Sequence, residues 1–360
     1  MGSVPAAARS NASSRWRLPA VWVGLVVVAL IVRLPFVLHV GPNEGGGDEW
    51  YTAWRSWSVL FERGNPGNFL HPALFYDAGA ALFSGLYLAG RMSGAFHSPV
   101  DLLADFVLHE AKYLQALQLL AAVFGALTVP VVFELARRIG GWRAGLVAAG
   151  ILAILPLHVE YSHRARVDSL CVLLTALGAL ALHRLAERGR RRDFLSSGVM
   201  VGLATAANYP AALLAVAYLA AALFARHRST SAEFVRSFAL GVVAAAAAFA
   251  LTNPYVVLTP AAAFDGFTFQ LSFAVKAASI PREGVPLVLL PPRARSERAV
   301  RDPGGVLRRV ARDPRARIPS HPGTVPVGIR RRLHRGQDAG GSIHLDRDAM
   351  ALCCDRRPPR

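Results

Sequence analysis

Hydrophobic residues in this chain come in long blocks, separated by short polar clusters. Seven blocks, at 18–40, 113–135, 142–160, 168–185, 194–208, 210–224 and 235–258, have interiors almost empty of ionisable side chains. A run of roughly 20 apolar residues can cross a bilayer as a helix, because a helix satisfies its own backbone hydrogen bonds in lipid. The pattern therefore predicts an all-α, polytopic transmembrane helical bundle. A further apolar stretch at 73–89 is a helix by the same reading, but its neighbours decide whether it crosses.

Positive charge orients the blocks. Lys and Arg collect at 9–17, 137–143, 184–192 and 226–236, and such clusters favour the cytoplasmic side. Two blocks separate each successive pair of clusters, so all four clusters can share one side. The first seventeen residues are then a cytoplasmic tail, and the spanning domain runs from 18 to 290. A crossing at 73–89 would break this parity. The segment after it also carries Asp101, Asp105 and Glu110, which is not a cytoplasmic signature. Residues 41–111 are therefore expected to form one extracytoplasmic loop, with 73–89 lying at or dipping into the membrane. The block at 18–40 is longer than a signal-peptide core and lacks a small-residue cleavage site, so it reads as an uncleaved first span.

Composition agrees: 53% of the 360 residues are hydrophobic and only 18% are charged. The formal net charge is +17, a balance that elsewhere points to nucleic acid. Here its position argues against that partner. Residues 291–360 hold seventeen Arg against seven acids, which is +10, and much of the rest lies in the orienting clusters. This tail has nine prolines and no apolar run, so it cannot bury a core and is expected to be disordered. Arg, Pro, Gly and Ala are also what GC-rich DNA encodes out of frame. On that second reading the tail is a frameshift product, and the natural chain continues with further spans. Of three cysteines, Cys171 sits in an apolar block and Cys353 and Cys354 are adjacent. Neither arrangement predicts a disulfide framework or a zinc site.

Two polar segments could carry chemistry. The first is Gly45-Gly46-Gly47-Asp48-Glu49-Trp50-Tyr51, just after the first block. A carboxylate here can act as general base on an acceptor hydroxyl, and aromatic rings can stack on sugars or sit at the lipid interface. The second runs from His158 through Glu160, His163, Arg164 and Arg166 to Asp168. By the topology above it shares a face with Asp48, and its arginines suit phosphate. Each segment also has a structural reading, as an interfacial turn or as arginines snorkelling to the membrane surface. His71 opens the 73–89 helix and could contact substrate or a metal. Asp77 on that helix could pair with a base or face a cavity. The span interiors lack the acids expected of an ion-coupled pump.

The ordered set of motifs resembles the membrane glycosyltransferases of the C superfamily, specifically the protein O-mannosyltransferase and aminoarabinose-transferase-like group. The resemblance covers roughly 18–285. It is carried by the acidic pair Asp48-Glu49 and by His71-Pro72-Ala73-Leu74. It continues through Gly125-Ala126-Leu127-Thr128-Val129-Pro130, ending in Ala136-Arg137-Arg138, and through Tyr161-Ser162-His163-Arg164-Ala165-Arg166-Val167-Asp168. The segment Gly202-Leu203-Ala204 to Asn208-Tyr209-Pro210-Ala211 and Asn253-Pro254-Tyr255 complete the set. Asn208 stands where the group often has Lys, and members have more spans than the seven read here.

The resemblance implies inverting transfer of a sugar from a polyprenyl-phosphate donor to a protein or lipid acceptor, at the extracytoplasmic face of the cell membrane. Asp48 would be the general base, with Glu49 positioning it or the acceptor. Arg164 and Arg166 would hold the donor phosphate, and Asp168, His71, Tyr51 and Tyr209 would bind substrate. Membrane lipid is a partner and nucleic acid is not. These residues name no cofactor, and a divalent metal is left open. Two other readings compete: a lipid or small-solute transporter or flippase, and an inactive truncated product.

Overall fold

The structure, a computed structural model, describes residues 6–39 and 47–279. The basic tail at 291–360 and the start of the glycine run therefore lie outside the described residues. Every regular element among the described residues is helical. In chain order they are α1 (Ala6–His39), α2 (Gly47–Phe61), α3 (Leu74–Ser93), α4 (Pro99–Leu108), α5 (Glu110–Ile154), α6 (Pro156–Ser162), α7 (Asp168–Arg188), α8 (Arg191–Ala207), α9 (Leu214–Ala225), α10 (Ser231–Thr252), α11 (Pro254–Leu258) and α12 (Pro260–Ser279).

Five stretches among the described residues are long and apolar enough to cross a membrane: Leu18–Leu38, Glu110–Ile154, Asp168–Arg188, Tyr209–Arg228 and Ser231–Thr252. The sequence predicted seven, and the difference has two causes. The blocks at 113–135 and 142–160 fall in two helical arms, together named α5, that fold back on each other, with the end of the second block in α6. At the turn between the arms Gly141 takes φ 81°, a left-handed conformation that a Cβ disfavours. Gly145 on the return arm then lies against Phe133 and Arg137 on the first. The block at 194–208 forms α8, whose 17 residues fall just short of the length of the others. The helix at 73–89 forms as α3 and is not among the five.

Cross-contacts give the directions. Gln115 Nε2 donates to Val37 O at 3.3 Å, while Gly125 lies against Arg33, so α1 runs antiparallel to the first arm of α5. Gly178 on α7 meets Leu214, and Gly189 meets Ala225 and Arg228, so α7 and α9 run parallel. The turn at Gly189 sends α8 back antiparallel to α7. Gly198 lies against the backbone of Gly241, and Gly202 against that of Ala245, so α8 and α10 are parallel and in backbone contact. Arg137, Arg138, Gly189 and Arg228 end up at turns, and α8 begins from the same side. The remaining connections, 163–167, 208–213 and the start of α11, fall at the opposite end.

That opposite end carries a cap made of α2, α3 and α4. Its core is aromatic: Trp57 stacks on Phe106 with centroids 4.6 Å apart, Trp54 meets the same ring edge-on at 5.1 Å, and Phe83 meets Tyr113 edge-on at 5.3 Å. Ring pairs in these geometries contribute beyond their buried area. The expected loop at 41–111 is thus a folded helical cap over its described part.

Large apolar side chains stay exposed on the long helices, among them Ile31, Val147, Val235, Val243 and Leu251. Such faces suit hydrocarbon rather than water, and the chain is an integral membrane protein.

The α8–α10 contact leaves no room for a side chain at Gly198. Gly198→Leu is expected to lower the midpoint of thermal unfolding in detergent, since overpacking costs about 1–3 kcal/mol or more. Gly150→Leu, where nothing lies within 4 Å of a Cβ, is expected to leave it nearly unchanged. Equal midpoints for the two variants would contradict the close helix approach.

Candidate active site

A buried arginine sets the first boundary of the site. Arg33, on α1, is fully buried. Its Nε donates to Ser162 Oγ at 2.8 Å, and its remaining nitrogens reach Ala29 O at 2.8 Å, Ala153 O at 3.3 Å and His158 Nδ1 at 2.6 Å. Charge inside an apolar bundle is tolerated when each donor has an acceptor. These bonds tie α1 to the end of α5 and to α6, and so fix where the segment 163–167 begins. Phe36 stacks on the His163 ring at 5.2 Å.

Glu49 holds the same segment from the other side. It is 3% exposed, although it stands in the first turn of α2. Its Oε1 accepts from the Ala165 backbone N–H at 2.8 Å and from Gln118 Nε2 at 3.1 Å. A buried carboxylate demands such donors. The two adjacent acids therefore part company. Glu49 points inward and joins α2 to α5 and to the 163–167 segment, while Asp48, with its side chain 75% exposed, faces outward.

With the segment pinned, Arg166 lies between two acids. Its guanidinium stands 3.4 Å from Asp48 Oδ2 and 3.1 Å from Asp168 Oδ2. It also covers the Tyr161 ring at 5.5 Å. The Asp168 contact is an ion pair rather than a directed hydrogen bond. Arg164, expected to act with Arg166, instead pairs with Glu160 at 3.1 Å. The structure thus brings Asp48, Arg166 and Asp168 together and sets Arg164 in a separate pair.

His71 belongs to the same neighbourhood. Asp168, Asp48 and Arg166 all act on it electrostatically, and Asn208 is close enough to favour its protonated form. Even so, His71 Nδ1 and Asn208 Oδ1 each lack a hydrogen bond of good geometry. Burial is the largest influence and lowers the His71 pKa from its ordinary value.

The segment bearing His71 is clamped by residues far away in sequence. Asn253 Oδ1 accepts from Ala73 N–H at 2.6 Å, Tyr209 donates to Phe69 O at 3.2 Å, and Tyr255 donates to Arg63 O at 2.8 Å. Tyr209 thus spends its hydroxyl on the backbone of this segment. The Tyr51 hydroxyl is buried without a hydrogen bond, and its ring lies edge-on to Tyr76 at 6.3 Å and under Arg55 at 5.3 Å. Among the described residues no group of three or more His, Cys, Asp and Glu side chains has the arrangement of a metal site.

Residues 108–257 match the family model described as dolichyl-phosphate-mannose-protein mannosyltransferase. The chain is mannosyltransferase-like, of the C superfamily type that the motifs resemble. No curated protein and no solved structure matches it. The mannosyltransferase match takes in Arg164, Arg166, Asp168, Asn208, Tyr209 and Asn253. Asp48, Glu49 and His71 precede it, and only the fold carries them to its residues.

Two contributors were not singled out from the sequence. Gln118 was visible as an amide inside an apolar block, which is a polar group needing a partner. Ser162 was visible as a member of the Tyr161–Asp168 motif but not as a partner of Arg33, because a Ser in a helix usually bonds its own backbone, as this one also does at His158 O, 2.6 Å away.

The lowered pKa of His71 sets a pH dependence. The folded state binds a proton there less readily than the unfolded chain. Its stabilising contribution is complete above the ordinary histidine range and is lost as pH falls through the lowered value. Thermal unfolding followed from about pH 7 to about pH 5 is expected to fall more steeply for wild type than for His71→Gln. Parallel curves would show that His71 is not held neutral by burial.

Proposed function

We propose that this membrane glycosyltransferase moves a sugar from a polyprenyl-phosphate donor to a protein or lipid acceptor at the extracytoplasmic face, with inversion at the anomeric carbon. The observation that carries the reading is the bridge of Asp48 and Asp168 across Arg166. It lies at the cap end of the bundle, away from the turns bearing Arg137, Arg138 and Arg228, and such positive turns favour the cytoplasmic side, which supports an extracytoplasmic bridge.

The bridge suits the chemistry of such a transfer. Asp48 is held only by an exposed contact, and ion pairs at exposed positions are worth about 0–1 kcal/mol. A donor phosphate arriving at Arg166 can replace the Asp48 carboxylate, since phosphate takes two parallel hydrogen bonds from a guanidinium. Asp48 is then free to accept the acceptor's hydroxyl proton. The acceptor oxygen bonds to the anomeric carbon as the bond from that carbon to the phosphate oxygen breaks. The polyprenyl phosphate leaves with the electron pair, and Arg166 stabilises its growing charge. Asp168 keeps Arg166 aimed while Asp48 is released. Glu49 acts as a positioning residue through Ala165, and His71 stands within reach of the sugar or phosphate.

Asp48→Asn is expected to reduce transfer from a lipid-linked mannose donor by about 100-fold or more, within the range removed with a general base. Membrane insertion should persist. Arg166→Lys keeps the charge but loses the forked geometry, and is expected to raise the donor KM. Full turnover by Asp48→Asn in the lipid-linked-sugar assay would refute the assignment.

A further inference from the structure

A cavity of about 170 Å³ opens beside the clamped segment, lined in part by Phe69, Asp77, Thr252, Asn253 and Tyr255. Asp48, His71, Arg166 and Asp168 do not line it, so the acid–arginine bridge leaves it unexplained. Its chemistry is lopsided. Asp77 stands in the first turn of α3, half-buried, and among the described residues its carboxylate has no ion pair and no hydrogen bond. Burial pushes its pKa up to about 6, so the carboxylate is still mainly charged at neutral pH. Thr252 Oγ1 donates to Ala248 O at 2.7 Å and accepts from Asn253 Nδ2 at 3.1 Å, which leaves one oxygen lone pair to accept. Phe69 and Tyr255 add aromatic carbon. The walls thus offer hydrogen-bond acceptors and apolar ring surface, and no cationic side chain lines them.

An anion is disfavoured by such walls, and a phosphate cannot be the occupant. A purely apolar ligand would strand the carboxylate without a donor. A pyranose ring meets both demands. Its hydroxyls donate to a carboxylate, and its C–H faces lie against aromatic rings. We propose that this cavity is a second sugar-binding site, in which Asp77 accepts hydrogen bonds from the hydroxyls of a pyranose. The proposal rests on the glycosyltransferase reading for its choice of ligand. The sugar could arrive on the polyprenyl carrier or on the acceptor, and the chemistry is shared.

Methyl α-mannoside binding to the detergent-solubilised full chain, followed by saturation-transfer NMR, tests the site without turnover. Wild type is expected to bind, and Asp77→Asn to bind about tenfold more weakly or worse. Gly150→Leu, remote from both sites, is expected to bind as wild type does. Binding should also weaken as pH falls below about 6, where Asp77 protonates. If Asp77→Asn does not fold, Thr252→Val is expected to show the same loss. Displacement of the mannoside by polyprenyl-phosphate mannose would assign the site to the donor sugar, and its persistence would assign it to a sugar on the acceptor. Absence of wild-type binding, binding indifferent to both variants, or stronger competition by cyclohexylamine than by mannoside would overturn the proposal. A chain that binds mannoside through Asp77 yet transfers no sugar would sink the transferase reading alone. A chain that transfers sugar while binding ignores Asp77 would sink the second site alone.

Discussion

The bond from the Ala165 backbone N–H to the buried carboxylate of Glu49 is the contact on which the candidate site depends. It joins positions 116 residues apart and is made in a setting where an unpaired carboxylate would be costly. Hydrogen bonds to charged groups contribute about 1.5–3 kcal/mol, and breaking a buried charged network costs more. By fixing the segment 163–167 against the first turn of α2, it brings Asp48 and Asp168 to the two sides of one guanidinium. Arg33 supports the same segment from α1 through Ser162. Two buried charges, one of each sign and each satisfied by the protein, therefore frame a bridge whose own outer acid is loosely held.

That difference in firmness gives the site its working logic. Groups that place the backbone are buried and bonded: Arg33, Glu49, Gln118 and Asn253. Groups available for exchange are exposed or weakly engaged: Asp48 is solvated, and His71 keeps a nitrogen without a partner. A transfer reaction needs both kinds, because rigid surroundings hold the reacting groups in line while the reacting groups themselves must trade partners. The clamp on the segment around His71 follows the same principle. Three bonds from Asn253, Tyr209 and Tyr255 close it onto the far end of the bundle, and the cavity at Asp77 opens beside those contacts.

The two adjacent acids illustrate how far local sequence goes. Asp48 and Glu49 look alike on paper, and the motif resemblance treats them as a pair. In α2 successive residues point about 100° apart, so only one can face the bundle. Which one does is decided by the donors that wait there. Arg164 and Arg166 divide in the same way: Glu160 lies one helical turn before Arg164, whereas Arg166 stands at the entry to α7 beside Asp168. Tyr209, expected at the substrate, has its hydroxyl bonded to Phe69 O.

Hydrophobic blocks, charge clusters and ordered motifs determined, from the sequence alone, that this is an all-helical membrane chain with a mannosyltransferase-like order of motifs, and which polar segments are unusual. Those features are local, and they follow from what a bilayer requires of each stretch separately. The folding back of two blocks as the arms of α5 depends on one glycine conformation. The cap built from α2, α3 and α4 depends on aromatic packing between separate helices. The division of labour between Glu49 and Asp48 depends on a donor more than a hundred residues away. Only the tertiary structure decided these points, because each is settled by which distant group fills a desolvated position, and no stretch of sequence holds both halves of such a contact.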